Sequence, residues 1–452
     1  MIHCRDNGKS RFSAILVPMD PLKAEITPPK LITSLRGYNL LPAIIFLPTR
    51  RRCDEAASEV AADKSLRADP ERQLRRQEIF DEFAAEYPEI LDHKHGKVIV
   101  RAGVAAHHAG HIPSWKLLIE KMMSGGLLNA LFATSTVAAG VDFPARTVVI
   151  TNADTRGNDG WRSLTASELQ QMTGRAGRRG RDNVGFVVLA PGQFQNPKKI
   201  AELLKAPPDP LESRFRATYT SLLNLLDAFG NFEQVREIAE KSFAFRESRR
   251  AMADNRQVDG AEMLSDRIWE PFERRAHVLD HFGYIDLGAE TVTTSGKWLA
   301  DLRIDRPLLV GEALKQGVFS ELKISEAAGL MASVASDADR SYGEMHASRA
   351  MTDILADFEN LVVKVSNIEW KNGVEPAEEI NYSAAAAAER WAAGMLWDEL
   401  VDRTRAEEGD LVRLLARTGE ALRQLANLRE SSPVAAAIAS AAADAILREP
   451  VR

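Results

Sequence analysis

The sequence predicts an α/β domain built on a parallel sheet with helices on both faces, followed by a winged-helix module and an all-α bundle. Three observations carry this expectation. Up to about Pro191, short apolar runs rich in β-branched residues alternate with helical stretches. Around Gly288 a hairpin pattern sits between two helical segments. From about Leu309, Leu, Ile, Val and Ala recur at three- and four-residue intervals, the period of packed helices.

In the first region LPAIIFLP, KVIVRAG, NALFAT, RTVVITN and VGFVVLA read as buried strands. Runs this short and apolar suit a parallel sheet covered on both faces. Between them CDEAASEVAAD, SWKLLIEKMM and ASELQQMTGRAG read as helices. This alternation predicts a doubly wound sheet whose ligands bind beyond the carboxyl ends of its strands. The charged segment Lys64–Arg76 reads as a solvated helix or loop inserted into that domain.

KAPPDPL, Lys205–Leu211, is Pro-rich and marks a boundary. Beyond it TYTSLLNLLDAF places Leu222, Leu223, Leu225 and Leu226 at helical spacing, and YID and TVTTS flank Gly288 as a hairpin. The expected domains are 1–205, 206–308 and 309–452.

A chain of 452 residues with 45% hydrophobic and 27% charged residues has the composition of a globular protein. A net charge of -6 argues against a protein that coats polyanions, while leaving room for a basic channel. Two cysteines exclude a disulfide framework and fit a reducing, cytoplasmic setting. MIHCRDNGKS lacks the apolar core of a signal peptide, and the Ala-rich stretch Val434–Ile446 is broken by Ser and Asp, so it reads as a packed helix with no membrane role.

The chemistry concentrates in TASELQQMTGRAGRRG, Thr165–Gly180. Thr165 and Glu168 form a capping box that starts a helix. Continued through the segment, that helix would carry Gln171, Arg175 and Arg178 on one face. Gly174 and Gly177 would cost it roughly 1 kcal/mol each, which suggests that something approaches closely. Two guanidiniums beside exposed backbone suit a polyphosphate, which arginine grips with two parallel N–H groups.

QMTGRAGRRG resembles motif VI of superfamily-two helicases, and most closely that of the superkiller-type DExH-box RNA helicases. The resemblance implies a RecA-like first domain, in which Arg175 and Arg178 reach ATP phosphates, one of them as an arginine finger. It implies that Gln171 belongs to the same catalytic set. ALFATSTVAAGVDFPARTVVI, Ala130–Ile150, resembles motif V. It implies nucleic-acid contacts from Thr134 and Thr136 and nucleotide contacts from Gly140 and Asp142, with Asp142 on the ribose or coupled to Arg178. Many relatives carry Asn at the position of Asp142. Ala138, Ala139 and Gly140 also admit a plain packing role.

VAAHHAGHIPSWK, Val104–Lys116, resembles the family's His-His segment and implies an ordered turn near nucleic acid through His108 and Gly110. His107, His108 and His111 invite a metal reading, which is set aside because no Cys or carboxylate lies nearby in the chain. AIIFLPTRRRCDEAA, Ala43–Ala57, resembles motif IV and places Thr49 and Arg50 at the nucleic-acid edge. Downstream, Thr218–Ser248 and VLDHFGYIDLGAETVTTSGKWLADL resemble the two halves of the family's winged helix. Only about Ala251–Arg274 separates them, so no inserted arch is expected. Glu389–Leu425 resembles its C-terminal helical domain; there Arg413 is a candidate RNA contact, while Trp391 and Trp397 read as core.

No phosphate-binding loop is legible. Gly8, Lys9 and Ser10 imitate its end, but His3 replaces the upstream Gly; Gly296, Lys297 and Trp298 lack the hydroxyl residue. The Asp-Glu pairs run on as DEAA, DEFA and DELV. The resemblance therefore implies the C-terminal half of an ATP-dependent 3′-to-5′ RNA helicase. A first RecA-like domain, in cis or trans, would hold ATP and Mg2+, and the chain alone would be inactive. Its expected partners are single-stranded RNA, with DNA as an alternative, and an RNA-degrading complex; it is expected to be monomeric and to have no membrane partner. Two other readings stay open: a non-catalytic nucleic-acid-binding module that has lost its motor half, and a DNA repair helicase of a related branch.

Overall fold

The computed structural model describes all residues except 1, 6–24, 67–68, 139–142, 144, 158–159, 179–181, 214, 247–259, 337–339 and 377–378. It divides into two compact units, Met1–Pro210 and Leu211–Arg452.

The first unit is organised by a six-stranded sheet. Its strands are β1 (Ile2–Arg5), β2 (Ala43–Phe46), β3 (Val104–His107), β4 (Ala130–Ala133), β5 (Thr147–Ile150) and β8 (Gly185–Leu189). Their order is β1-β8-β5-β2-β4-β3; β1 runs antiparallel to β8 and every other pairing is parallel. A separate hairpin pairs β6 (Asp154–Gly157) with β7 (Gly160–Ser163). Ile45, Phe132 and Val149 meet Leu31, Ile32 and Leu35 of α1 (Pro28–Gly37) and Ala56 and Val60 of α2 (Arg50–Ala62) in one core. The alternate residues Ile44, Leu131 and Val148 point to the opposite face and are buried too, as a sheet covered on both sides requires.

Two sequence expectations fail here. KVIVRAG is no strand: α4 (Gly96–Ala102) is a helix that buries Ile99, Val100 and Ala102 and exposes Lys97 and Arg101, four residues apart. Gly103, at φ 63, ends it, and the following VAAH pairs with β4 as β3. Nor is the Lys64–Arg76 segment wholly solvated. Within α3 (Pro70–Glu86), Arg76 is fully buried and donates from Nε to the Val100 carbonyl at 2.8 Å and from Nη1 to that of Leu127 at 3.1 Å. An arginine in a charged run looks solvated until the carbonyls it satisfies are folded against it.

The other helices of this unit are α5 (Pro113–Ser124), α6 (Ala166–Thr173) and α7 (Pro197–Lys205).

The second unit opens with α8 (Tyr219–Phe229), α9 (Phe232–Glu240) and α10 (Gly260–His281). Leu222, Leu223 and Leu226 form the buried stripe of α8. A two-stranded hairpin follows, β9 (Ile285–Asp286) with β10 (Thr291–Val292), then α11 (Thr294–Asp301). The remainder is helical: α12 (Pro307–Lys315), α13 (Ile324–Ala335), α14 (Arg349–Lys371), α15 (Tyr382–Ala392), α16 (Trp397–Thr404), α17 (Glu408–Ala426) and α18 (Pro433–Ile446). Every residue of α13 from Glu326 to Ala335 is buried, and α13 packs on α15, α17 and α18. At Gly329 an added Cβ would meet Met351 Sδ at 2.8 Å and the Ala385 carbonyl at 3.0 Å, so glycine sets how closely α13 and α15 approach. Trp391 and Trp397 lie in this interior as expected, with ring centroids 5.5 Å apart. Val434–Ile446 is a packed helix, and no helix among the described residues is long and apolar enough to cross a membrane.

Candidate functional site

Because β2, β3, β4, β5 and β8 are parallel, the residues that follow them share one edge of the sheet. Thr49 follows β2 and N-caps α2, its Oγ1 accepting the Arg52 N–H at 3.3 Å; Arg50 is the first residue of that helix. Thr134 follows β4 directly, and its hydroxyl lies 2.9 Å from that of Thr136. Thr134 is half-buried and Thr136 exposed. Thr151, which follows β5, donates to the Phe46 carbonyl at 2.8 Å and ties two of these strand ends together. It was not singled out from sequence, where it is one Thr among many.

The arginine segment departs from expectation. The capping box is present: Glu168 N–H donates to Thr165 Oγ1 at 3.3 Å, and Thr165 N–H donates to Glu168 Oε2 at 3.0 Å. However, α6 ends at Thr173, so Gln171, Arg175 and Arg178 do not share a helical face. Gln171 is exposed in the last turn of the helix, while Arg175 and Arg178 lie in the turn beyond it. Ala176 there bridges to Ala145, and Gly177 N–H donates to the Ala145 carbonyl at 2.8 Å. Gly177 adopts φ 91, a left-handed conformation that glycine reaches without strain. A Cβ on Gly185 of β8 would lie 2.5 Å from the Ala176 carbonyl oxygen. At Gly177 the close approach is that of this unit's own strand, while a Cβ on Gly174 would meet only the Gln170 and Gln171 carbonyls of its own helix.

The two arginines have separate partners. Arg175 donates from Nε and Nη2 to the Ala138 carbonyl, at 3.1 and 2.6 Å, joining the motif VI-like segment to the motif V-like turn. Arg178 forms a two-pronged pair with Asp182, Nε to Oδ2 at 2.7 Å and Nη2 to Oδ1 at 2.9 Å. Its backbone N–H adds a third contact to Oδ2 at 3.1 Å. Those bonds from Arg178 hold the Asp182 carboxyl below its ordinary range against the opposing effect of burial. From sequence, Asp142 is expected on the ribose or coupled to Arg178. Gly140 and Asp142 lie outside the described residues, as do Ala139 and Gly8, Lys9 and Ser10. Asp182 was legible only as an acid four positions after Arg178.

The His-His turn is interior. His108 is 1% exposed and Gly110 is buried, its N–H donating to His108 Nδ1 at 3.2 Å. His108 Nε2 lies 3.1 Å from Asp54 Oδ1, and His95 Nε2 lies 2.9 Å from the same oxygen. Lys94 Nζ contacts Asp54 Oδ2 at 2.7 Å. Burial pushes the Asp54 carboxyl up, but the His108, His111 and His95 rings and the Lys94 ammonium gathered at it outweigh that and hold it far below its usual range. His107 points elsewhere, edge-on to Phe143 at 5.1 Å, and burial pushes its pKa down to about 3. The sequence premise that no carboxylate accompanies these histidines is thus wrong in space. Asp54 reaches them from α2, where neither spacing nor pattern announces it.

In the second unit Arg413 is exposed on α17, with Nη1 3.7 Å from Asp410 Oδ1.

Comparison with known proteins shows what the chain is similar to. A family model described as the DSHCT (NUC185) domain matches residues 289–452. The chain is 36% identical over 231 residues, 46% of its length, to a chloroplastic DExH-box ATP-dependent RNA helicase of Arabidopsis thaliana, and covers 19% of that protein. It is 33% identical over 220 residues, 48% of its length, to the probable helicase HelY of Mycobacterium tuberculosis, covering 24% of it. To the human exosome RNA helicase MTR4 it is 36% identical over 201 residues, 44% of its length, covering 19%. The chain thus spans about a fifth of the length of the curated relatives it matches. Residues 289–452 carry that domain, and over nearly half of its length the chain is similar to superkiller-type DExH-box helicases, consistent with a C-terminal portion of such a protein.

Proposed function

We propose that the chain is the C-terminal half of an ATP-dependent 3′-to-5′ RNA helicase, supplying an arginine finger and part of a single-stranded RNA channel. The observation that carries this reading is Arg178, whose guanidinium is already presented as a planar fork to the two oxygens of Asp182. The oxyanions of a nucleotide phosphate offer the same fork a competing partner. Arg175, with two donors on the Ala138 carbonyl, positions the turn. ATP and Mg2+ would be held by a first RecA-like domain in cis or trans, since no phosphate loop is legible in this sequence.

Thr49, Arg50, Thr134 and Thr136 at the strand ends would contact RNA phosphates, with hydroxyl and N–H groups suited to positioning a backbone without reading bases. His108 and Gly110 would act by shaping their turn, since both are buried. Residues 206–308 are read as a winged helix and 309–452 as the bundle that completes the channel, with Arg413, exposed on α17, as a candidate RNA contact. The protein would work as a cytoplasmic monomer, alongside an RNA-degrading complex.

The test is RNA-stimulated ATP hydrolysis by this chain joined to a first RecA-like domain. Arg178→Ala should lower turnover by about 10³-fold or more, the order an arginine finger contributes, with RNA affinity nearly intact. Unchanged turnover sinks the finger assignment. Failure of the joined wild-type protein to hydrolyse ATP favours the non-catalytic reading instead.

A further inference from the structure

Of the Asp54 cluster, the reading above uses only His108, as part of its turn. Its donors come from three places: Asp54 from α2, His95 from the residue before α4, and His108 and His111 from the turn after β3. One ligand atom from each of Asp54, His108 and His111 lies within 4.8 Å of the others. His111 is 2% exposed, and its Nε2 sits 3.3 Å from Asp54 Oδ1 without hydrogen-bond geometry. Among the described residues its Nδ1 also has no hydrogen-bond partner. A buried imidazole with neither nitrogen satisfied is costly, and such a group calls for a partner that the protein atoms do not provide.

We propose that Asp54, His108 and His111 bind one divalent transition-metal ion of the zinc class. Two imidazoles and a carboxylate are donors that zinc takes, at about 2.0–2.2 Å, leaving a position for a water molecule. Arms of that length put tetrahedral ligand atoms ~3.3 Å apart, so donors that lie within 4.8 Å of one another need to close by up to about 1.5 Å. His95, with Nε2 2.9 Å from Asp54 Oδ1, stays as the hydrogen-bonding partner that orients the carboxylate. Lys94 reaches Asp54 with a side chain that is 62% exposed, so it swings into water when the ion arrives. The ligands are too buried to meet a substrate, which makes the ion a clamp between α2 and the β3–α5 turn.

Coordination also has a consequence for the turn. Gly110 N–H donates to His108 Nδ1, so in the metal-free protein the ring carries its proton on Nε2, facing Asp54. Binding at Nε2 moves that proton to Nδ1 and removes the acceptor of Gly110 N–H.

The full chain, stripped with a chelator, is titrated with Zn2+ alone, and the metal retained after gel filtration is counted. The proposal expects one zinc per chain, a raised thermal midpoint, and a shift of the Gly110 amide resonance. Co2+ in its place should give the strong visible absorption of a four-coordinate site. His111→Leu, which keeps apolar bulk in the site, should weaken zinc binding beyond the ~10–100-fold that loss of a supporting hydrogen bond costs. His277→Ala, at an exposed histidine, should leave it unchanged. A wild-type chain that retains no zinc overturns the proposal whatever the variants do. Equal retention by a folded His111→Leu chain overturns the ligand assignment.

Discussion

Arg175 and Arg178 stand three positions apart and do different work. The first spends two donors on one carbonyl; the second meets a carboxylate with matching geometry, which planar guanidinium recognises far better than an ammonium would. Asp182 is therefore a positioning residue for Arg178. Asp182→Asn keeps the shape but removes the charge, and should cost about 1.5–3 kcal/mol in urea unfolding, the range for hydrogen bonds to charged groups. The pH dependence has a definite sign. A carboxyl held low in the folded state contributes stability that is complete above its unfolded value of ~3.9, and that is lost as pH falls through the lower folded value. Acid titration of unfolding should therefore show a loss below about pH 4 that is smaller in Asp182→Asn; an identical acid limb would show that the pair does not contribute.

At the scale of elements, period and caps carried most of the information, and both had limits. The capping box located the start of α6 correctly, but the pattern ran on past its end because Arg175 and Arg178 happen to continue helical spacing. The helix stops at Thr173 with Gly174 as its C-cap, and at Gly177 a left-handed backbone lets the chain turn against β8. Gly177→Ala should destabilise the chain by about 1–3 kcal/mol, the cost of forcing a side chain into that region, measurable by thermal or urea unfolding. KVIVRAG misled for the opposite reason: its β-branched residues favour a strand, yet exposed Lys97 and Arg101 four apart already marked a helix. Inside α3, buried Arg76 and exposed Arg75 are neighbours with opposite fates. Arg76→Ala strands two carbonyls and should cost about 2–3 kcal/mol, while Arg75→Ala should stay within about 0.5 kcal/mol. Equal effects would mean that the bonds to Val100 and Leu127 contribute nothing.

For the whole molecule, each unit has its own interior. In Leu211–Arg452 that interior is centred on α13 and on Trp391, whose Nε1 donates to the Ile446 carbonyl at 2.8 Å beneath the Arg448 guanidinium. A fragment of residues 211–452 should thus fold alone with a cooperative thermal transition, and Trp391→Ala should cost it about 3–5 kcal/mol. A fragment without a cooperative transition would refute its independence. The sequence by itself determined the parallel sheet, the hairpin around Gly288, the helical second half and the likeness to superkiller-type helicases, because strand and helix periods and short motifs are local properties of the chain. Only the tertiary structure decided which charged residue is buried, that Asp182 holds Arg178, and that Asp54 joins His95, His108 and His111. Those pairings depend on which segments are packed side by side, and Asp54 lies 54 residues from His108 with nothing in its own neighbourhood to mark the meeting.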